Sequence, residues 1–432
     1  MVSRCLFPLA VRGALLIGAL TPGCGPGATP EALPTFGEDS LLLDAEPVPL
    51  ATLDALGGVY SVTEGSSAFG NPVVVQVVRD KVSVLGEPNA IYAVLDTGCR
   101  QDGSELVLEG AYRRATDGEV GLVRLLAGPP ERARAMCSGQ PASGPVTLAG
   151  AYGTGSASPR EQLTFEFEHA ERDPEGRFFV VAHRGGCRTI DACGASENSV
   201  EVIRLAESLG ADAVEIDVRL TRDGVPILYH DDAFGPRLTN GTYCRGAVDE
   251  FDLVHVRALC ELEGGEPVPT LEEALRAVLD DTGLRGVWLD VKAPDAIAPA
   301  LSVATRYVEL AEATGRTLAI AVGLATSDLA DAYARLPAPT RTTCLLELES
   351  SDLDRLGCRI WAPRWTRGLL VGEAEAVQRS GGLVAYWTLD DPEFIDLFLR
   401  DGRPNAILTN RPGLVRQRFE VLGTVPPAAQ WP

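Results

Sequence analysis

Gly210-Ala211-Asp212-Ala213-Val214-Glu215-Ile216-Asp217-Val218 alternates two chemistries along what reads as one β-strand. Side chains of a strand point to opposite sides in turn, so Glu215 and Asp217 share one side while Val214, Ile216 and Val218 share the other. Trp288-Leu289-Asp290-Val291-Lys292 repeats the pattern, with Asp290 and Lys292 on one side. Each strand carries its charged pair toward its C-terminal end, which places chemistry at one end of a sheet whose opposite side is apolar.

The sequence around these strands alternates strand with helix. Apolar strand candidates fall at 178–183, 213–220, 287–291, 317–322, 342–348, 358–363, 383–389 and 406–409. Helical stretches occupy 200–209, 271–279, 297–313, 328–336, 373–379 and 393–400. Eight strands with crossovers over about 240 residues satisfy a (β/α)8 TIM barrel. An open doubly wound sheet fits less well, because no Gly-rich dinucleotide turn follows the first strand. A barrel gathers its strand ends at the C-terminal rim, where active sites lie. His183-Arg184-Gly185-Gly186 ends the first strand, Glu197-Asn198-Ser199 opens a helix, and Tyr229-His230-Asp231 follows the second strand. Ser199 or Asn198 is suited to cap that helix. Three carboxylates without thiols favour a hard divalent cation, Ca²⁺ or Mg²⁺. His183 and His230 are the acid/base candidates, since imidazole titrates near neutrality. His169 and His255 lie outside these blocks and read as incidental.

The N-terminal part differs in kind. The apolar run Gly13–Leu20, between Arg12 and Thr21-Pro22-Gly23-Cys24, suits a signal peptide and is too short to span a bilayer. The sequence before Cys24 resembles a bacterial lipobox, although Thr21 stands where Leu is favoured. Residues 1–23 are therefore expected to be a lipoprotein-type signal, with Cys24 lipidated and the mature chain exported and anchored to a membrane of a bacterial cell envelope, periplasmic or surface-facing. Residues 24–50, rich in proline, read as an extended, poorly packed tether. Residues 51–170 contain short alternating runs such as 73–78, 81–85, 90–95, 105–109, 121–126 and 162–168, separated by turn signals. Together they read as a small all-β accessory domain, sandwich or barrel, with the TIM barrel following at 178–422. A Gly-x-Tyr unit recurs at Gly58/Tyr60, Gly110/Tyr112 and Gly150/Tyr152. Setting aside Cys5 and Cys24, eight cysteines remain, an even number that suits disulfides in an exported chain. Eight cysteines allow 105 connectivities; the simplest pairs neighbours, Cys99–Cys137, Cys187–Cys193, Cys244–Cys260 and Cys344–Cys358. The chain has 432 residues and a net charge of −22. It shows none of the basic footprint a nucleic-acid binder needs, and its four histidines argue against a His-rich metal cluster.

The ordered blocks His183-Arg184-Gly185, Glu197-Asn198, 210–218 with Thr221, Asp223-Gly224 and His230-Asp231, Asp290-Val291-Lys292, Tyr386-Trp387-Thr388-Leu389-Asp390 and 406–412 resemble the glycerophosphodiester phosphodiesterases over residues 178–420. Three positions depart from that pattern: Ser196 replaces a Pro, Asp290 a Glu, and Asn410 an Asp. The resemblance implies catalytic roles for His183 and His230, metal ligation by Glu215, Asp217 and Asp290, and phosphate binding by Arg184 and Lys292. Glu197 and Trp387 would support the site. The implied reaction is metal-dependent hydrolysis of a glycerophosphodiester, or of a phospholipid-derived substrate, to glycerol 3-phosphate and an alcohol. The alternatives are phospholipase D-like hydrolysis of lysophospholipids or sphingolipids, as in the related sphingomyelinase D enzymes, and a non-catalytic surface-binding lipoprotein. Oligomeric state is not legible in the sequence.

Overall fold

The computed structural model of the protein describes residues 31–87, 89–186, 193–337 and 343–427. The signal segment, Cys5, Cys24 and Cys187 lie outside the described residues.

The first body is a closed antiparallel barrel, which decides between the two all-β expectations. Its strands are β1 Gly58–Glu64, β2 Val73–Val78, β3 Lys81–Gly86, β4 Ile91–Cys99, β5 Leu106–Arg114, β6 Val120–Gly128, β7 Thr147–Thr154 and β8 Glu161–His169. Each pairs with the next, and β1 closes on β8. Closure removes every unpaired edge. The interior is filled: Phe69 meets Tyr112, Tyr152 and Phe165 edge-on at 5.6, 5.4 and 5.9 Å. The Gly-x-Tyr units belong to this packing. A Cβ on Gly110 would stand 2.0 Å from the Val94 carbonyl, and one on Gly150 2.1 Å from that of Arg124. Glycine thus lets neighbouring strands approach while the tyrosine two residues on fills the core. The expected strands omit β1 and β7, whose glycines and polar residues blur the alternation.

The expected tether is corrected over residues 36–50. They form almost no regular structure, yet they pack against the barrel. Ser40 Oγ and the Leu41 N–H donate to the Glu109 carboxylate at 2.6 and 3.1 Å, Arg124 stacks over Phe36, and Glu46 pairs with Cys99 through both backbone groups. Glu109 is only 2% exposed on β5. A buried carboxylate demands hydrogen-bond donors, and this segment supplies them along with Arg124.

The second body is the expected TIM barrel. Parallel strands β9 Phe179–Ala182, β10 Ala213–Leu220, β12 Gly286–Val291, β13 Ala319–Leu324, β14 Cys344–Leu346, β15 Ile360–Trp361, β16 Leu383–Tyr386 and β17 Ala406–Thr409 close through pairing of β9 with both β10 and β17. A short antiparallel strand, β11 Pro226–Leu228, extends β10. Alternation sorts the apolar residues into two layers. Phe179, Val181, Ala213, Trp288, Ala321 and Leu345 fill the lumen, while Val180, Val214, Leu289, Val322 and Leu346 face the helices.

Helix Pro412–Leu422 closes the barrel and is absent from the expected set. Its apolar stripe is interrupted by buried polar residues. Arg416 pairs with Asp212, Gln417 Nε2 donates to the Pro72 carbonyl at 2.6 Å, and Glu420 accepts from the Arg172 N–H at 2.6 Å. Gln417 therefore faces the first barrel, and polar residues at a domain contact hid the helical period. Val59, Val74, Leu85, Tyr92, Ala195, Val202 and Leu209 seal the two bodies together. Among the described residues no helix is long and apolar enough to cross a membrane.

Three of the four predicted disulfides are present: Cys99–Cys137, Cys244–Cys260 and Cys344–Cys358. Cys193 is also disulfide-bonded, and the Cys187–Cys193 expectation lies partly outside the described residues. The Cys99–Cys137 bridge spans 38 residues and ties β4 to helix Pro130–Cys137. A loop of that size restricts the unfolded chain by up to about 3–4 kcal/mol. The variant with both cysteines replaced by alanine is expected to unfold at a lower denaturant midpoint; an unchanged midpoint would contradict this.

Candidate active site

Strand parity builds the site. Glu215 and Asp217 lie toward the C-terminal end of the lumen side of β10, and Asp217 lies level with Asp290 of β12 in the parallel ladder. One oxygen from each of Glu215, Asp217 and Asp290 lies within 4.8 Å of the others. Glu215 is 2% exposed and Asp217 1%. Lys292, one pleat above Asp290, places Nζ 2.5 Å from Asp217 Oδ1 and 2.5 Å from Asp290 Oδ2. Burial, reinforced by Asp217 and Asp290, pushes the Glu215 pKa well above the usual carboxylate range. Burial also works against the Asp217 charge, but Lys292, Arg184 and His230 outweigh it and hold that carboxyl ionised. Lys292 stays charged despite burial because Asp217, Asp290 and Glu215 surround it.

These residues fit a hard divalent cation. The donors are carboxylate oxygens from adjacent strands, and Glu215 Oε1 is buried without a hydrogen-bond partner. A concentrated negative charge with an orphaned oxygen is what such an ion relieves.

Arg184 follows β9 in the left-handed region, at φ 56°. That turn aims its N–H at Glu215 Oε2, 2.8 Å away. Its guanidinium is buried; Nη1 donates to Glu197 Oε1 at 2.7 Å, and Nε lies 3.6 Å from Asp217 Oδ2. Ser199 caps helix Val200–Ala206 by accepting from the Val202 N–H at 3.0 Å. Asn198 is left for another task that the sequence did not disclose. Its Nδ2 donates to Asp217 Oδ2 at 2.7 Å and its Oδ1 accepts from the Asp217 N–H at 3.0 Å.

The two histidines have different partners. His183 Nδ1 lies 2.7 Å from Asn410 Oδ1. Asn410 Nδ2 donates to Asp390 Oδ2 at 2.6 Å, which fixes the amide so that Oδ1 faces the ring. His183 therefore carries its proton on Nδ1 and presents a bare Nε2, 3.7 Å from Glu215 Oε2. Burial, then Arg184, push its pKa down to about 4. His230 is carried to the rim by β11, and its Nδ1 lies 2.8 Å from Asp231 Oδ1. Burial lowers its pKa, and Asp217 and Asp231 offset that only in part. Arg237 clamps Asp231 in turn. Trp387 sits at the end of β16 with Nε1 donating to the Ala362 carbonyl at 2.7 Å. His169 and His255 are elsewhere: His169 ends β8, and His255 is exposed beside Asp252.

Residues 183–294 match the Glycerophosphoryl diester phosphodiesterase family. The chain is similar to "Probable glycerophosphodiester phosphodiesterase 2" of Mycobacterium tuberculosis, 29% identical over 260 residues that cover 56% of this chain and 90% of that one. It is 34% identical over 128 residues to the glycerophosphodiester phosphodiesterase of Caldanaerobacter subterraneus subsp. tengcongensis, covering 28% of this chain and 48% of that protein. It thus spans most of the first relative and about half of the second. Among solved structures, an Oleispira antarctica phosphodiesterase in complex with the product sn-glycerol-3-phosphate aligns at a TM-score of 0.46 and 21% identity, over 56% of this chain and 96% of that one. The stretch that holds both histidines and all three carboxylates, residues 183–294, is the stretch that the family model matches.

Proposed function

We propose that the second barrel hydrolyses glycerophosphodiesters to glycerol 3-phosphate and an alcohol with the help of a divalent cation, Ca²⁺ or Mg²⁺. The observation that carries this reading is the buried cluster of Glu215, Asp217 and Asp290 flanked by two histidines with opposite hydrogen-bond partners. Glu215, Asp217 and Asp290 would hold the cation, which when bound polarises a phosphoryl oxygen and offsets the charge that builds on it. Lys292 and Arg184 add positive charge on the same side, Arg184 through the guanidinium edge left free by Glu197.

The partners assign the proton transfers. An amide carbonyl on Nδ1 leaves His183 neutral, so its Nε2 accepts the proton of the attacking water. The Asp231 carboxylate on Nδ1 offsets part of the burial that disfavours the His230 charge, and of the two histidines it is the one with a carboxylate partner to carry a proton toward the departing alkoxide. The water oxygen forms the new P–O bond, the P–O bond to the alcohol breaks, and one proton enters at His183 as another leaves His230.

Phosphorus NMR of a glycerophosphocholine digest tests this reading: glycerol 3-phosphate is the expected product. Phosphocholine or a cyclic phosphate as the end product would overturn it. Asp290 in place of a glutamate also suits the phospholipase D-like alternative, and exclusive turnover of lysophosphatidylcholine would favour that reading.

A further inference from the structure

The lumen side of β14 carries one more charged residue. Leu345 packs in the lumen and Leu346 among the helices. The Glu347 N–H continues the ladder to the Leu324 carbonyl at 3.3 Å. Parity therefore turns Glu347 into the lumen, two strands round from Lys292 and at its height. Among the described residues nothing donates a hydrogen bond or an ion pair to its carboxylate. Burial, and then Asp290, push its pKa up to about 8. A part-buried acid without a partner is costly, and neither the fold nor the proton transfers above account for it.

Its surroundings are small. Level with Glu347 on the flanking strands stand Ala325, just beyond β13, and Ala362, just beyond β15, while Trp288 fills the lumen over Gly323 one pleat below and the Trp387 ring is held on the Ala362 carbonyl. Both neighbours at its height are alanine, so neither covers the Glu347 carboxyl. We infer that Glu347 receives the glycerol moiety of the substrate, its carboxyl group hydrogen-bonding the vicinal hydroxyls. This rests on the phosphodiesterase reading. A phosphate held at Lys292 and Arg184 leaves the attached glycerol pointing across the lumen. A carboxyl group suits hydroxyl donors in either protonation state, and sites built to hydrogen-bond a hydroxyl discriminate strongly against analogues that lack it.

The test compares glycerophosphocholine with bis(p-nitrophenyl) phosphate, which has no hydroxyls, on the full chain. Wild-type turnover of glycerophosphocholine, measured first, decides the phosphodiesterase reading separately. For Glu347→Leu, the ratio of kcat/KM for glycerophosphocholine over the aryl diester is expected to fall about 10–100-fold, chiefly through KM. Glu347→Gln, which keeps a hydrogen-bonding carbonyl, should recover part of the ratio. If Glu347 instead serves a second cation or the packing, both substrates fall together, and a ratio within twofold of wild type overturns the inference. Should Glu347→Leu not fold, the inhibition constant of glycerol 3-phosphate against aryl diester hydrolysis decides. A rise of about fivefold or more in Glu347→Gln supports the inference, and an unchanged constant overturns it.

Discussion

Alanine at His183 or at His230 is expected to lower kcat by about 10²–10⁴-fold, the range for a group that moves a proton in the transition state. The two losses should differ in kind. His183 is held by an amide that Asp390 fixes, so its substitution removes a neutral acceptor. His230 is held by Asp231, itself clamped by Arg237, so its substitution removes the donor to the leaving group. An activated leaving group needs little protonation. His230→Ala should therefore lose much less activity on bis(p-nitrophenyl) phosphate than on glycerophosphocholine, while His183→Ala should lose a similar factor on both. Steady-state kinetics of the two variants on the two substrates decides, and wild-type-like turnover in either variant would refute its role.

The second large effect falls on the carboxylates. Glu215→Gln, Asp217→Asn and Asp290→Asn keep side-chain shape and remove the charge that holds a hard cation, so each should abolish metal-dependent activity. Glu215→Gln carries a further, opposite expectation for stability. The Glu215 pKa is raised in the folded protein by burial and by its acidic neighbours. A carboxyl with a raised folded pKa destabilises the fold at any pH above its unfolded value, because ionisation is easier in the unfolded chain. The metal-free Glu215→Gln protein should therefore melt higher than the metal-free wild type near neutral pH. The advantage should shrink as pH falls toward the unfolded carboxyl pKa of about 4.3. Added Ca²⁺ or Mg²⁺ should raise the wild-type Tm, by the equivalent of about 2.7 kcal/mol at a hundredfold excess over Kd, and leave the variant where it was. A variant that melts lower than wild type without metal would contradict this account of the cluster.

Much of this is legible in the sequence. The lumen side of β10 and β12 was readable because strand period 2 separates Glu215, Asp217, Asp290 and Lys292 from the valines and leucines between them. All eight barrel strands are legible as apolar runs set between helical stretches, with ends shifted by a few residues. The missed parts share a physical cause: polar atoms serving contacts that are distant in sequence. Helix Pro412–Leu422 hides its period because Arg416, Gln417 and Glu420 are buried against Asp212, Pro72 and Arg172. Residues 36–50 read as a tether because the partner that orders them, Glu109, lies on a strand some seventy residues away. Asn198 looked like a helix cap, yet its amide is spent on Asp217 while Ser199 does the capping. Glu347 lay within an expected strand, but with no motif neighbour its parity was the only clue, and that clue becomes informative once the barrel sets Lys292 at the same height.

The central claim is that a cation held by Glu215, Asp217 and Asp290 works with the two histidines on a glycerophosphodiester. Its most direct test is the release of glycerol 3-phosphate from glycerophosphocholine by chelator-treated protein, followed during titration with Ca²⁺ and, separately, with Mg²⁺. The account predicts no release after chelation and saturable recovery with at least one of the two ions. Full release by the chelated protein, or no release with either ion restored, would contradict it.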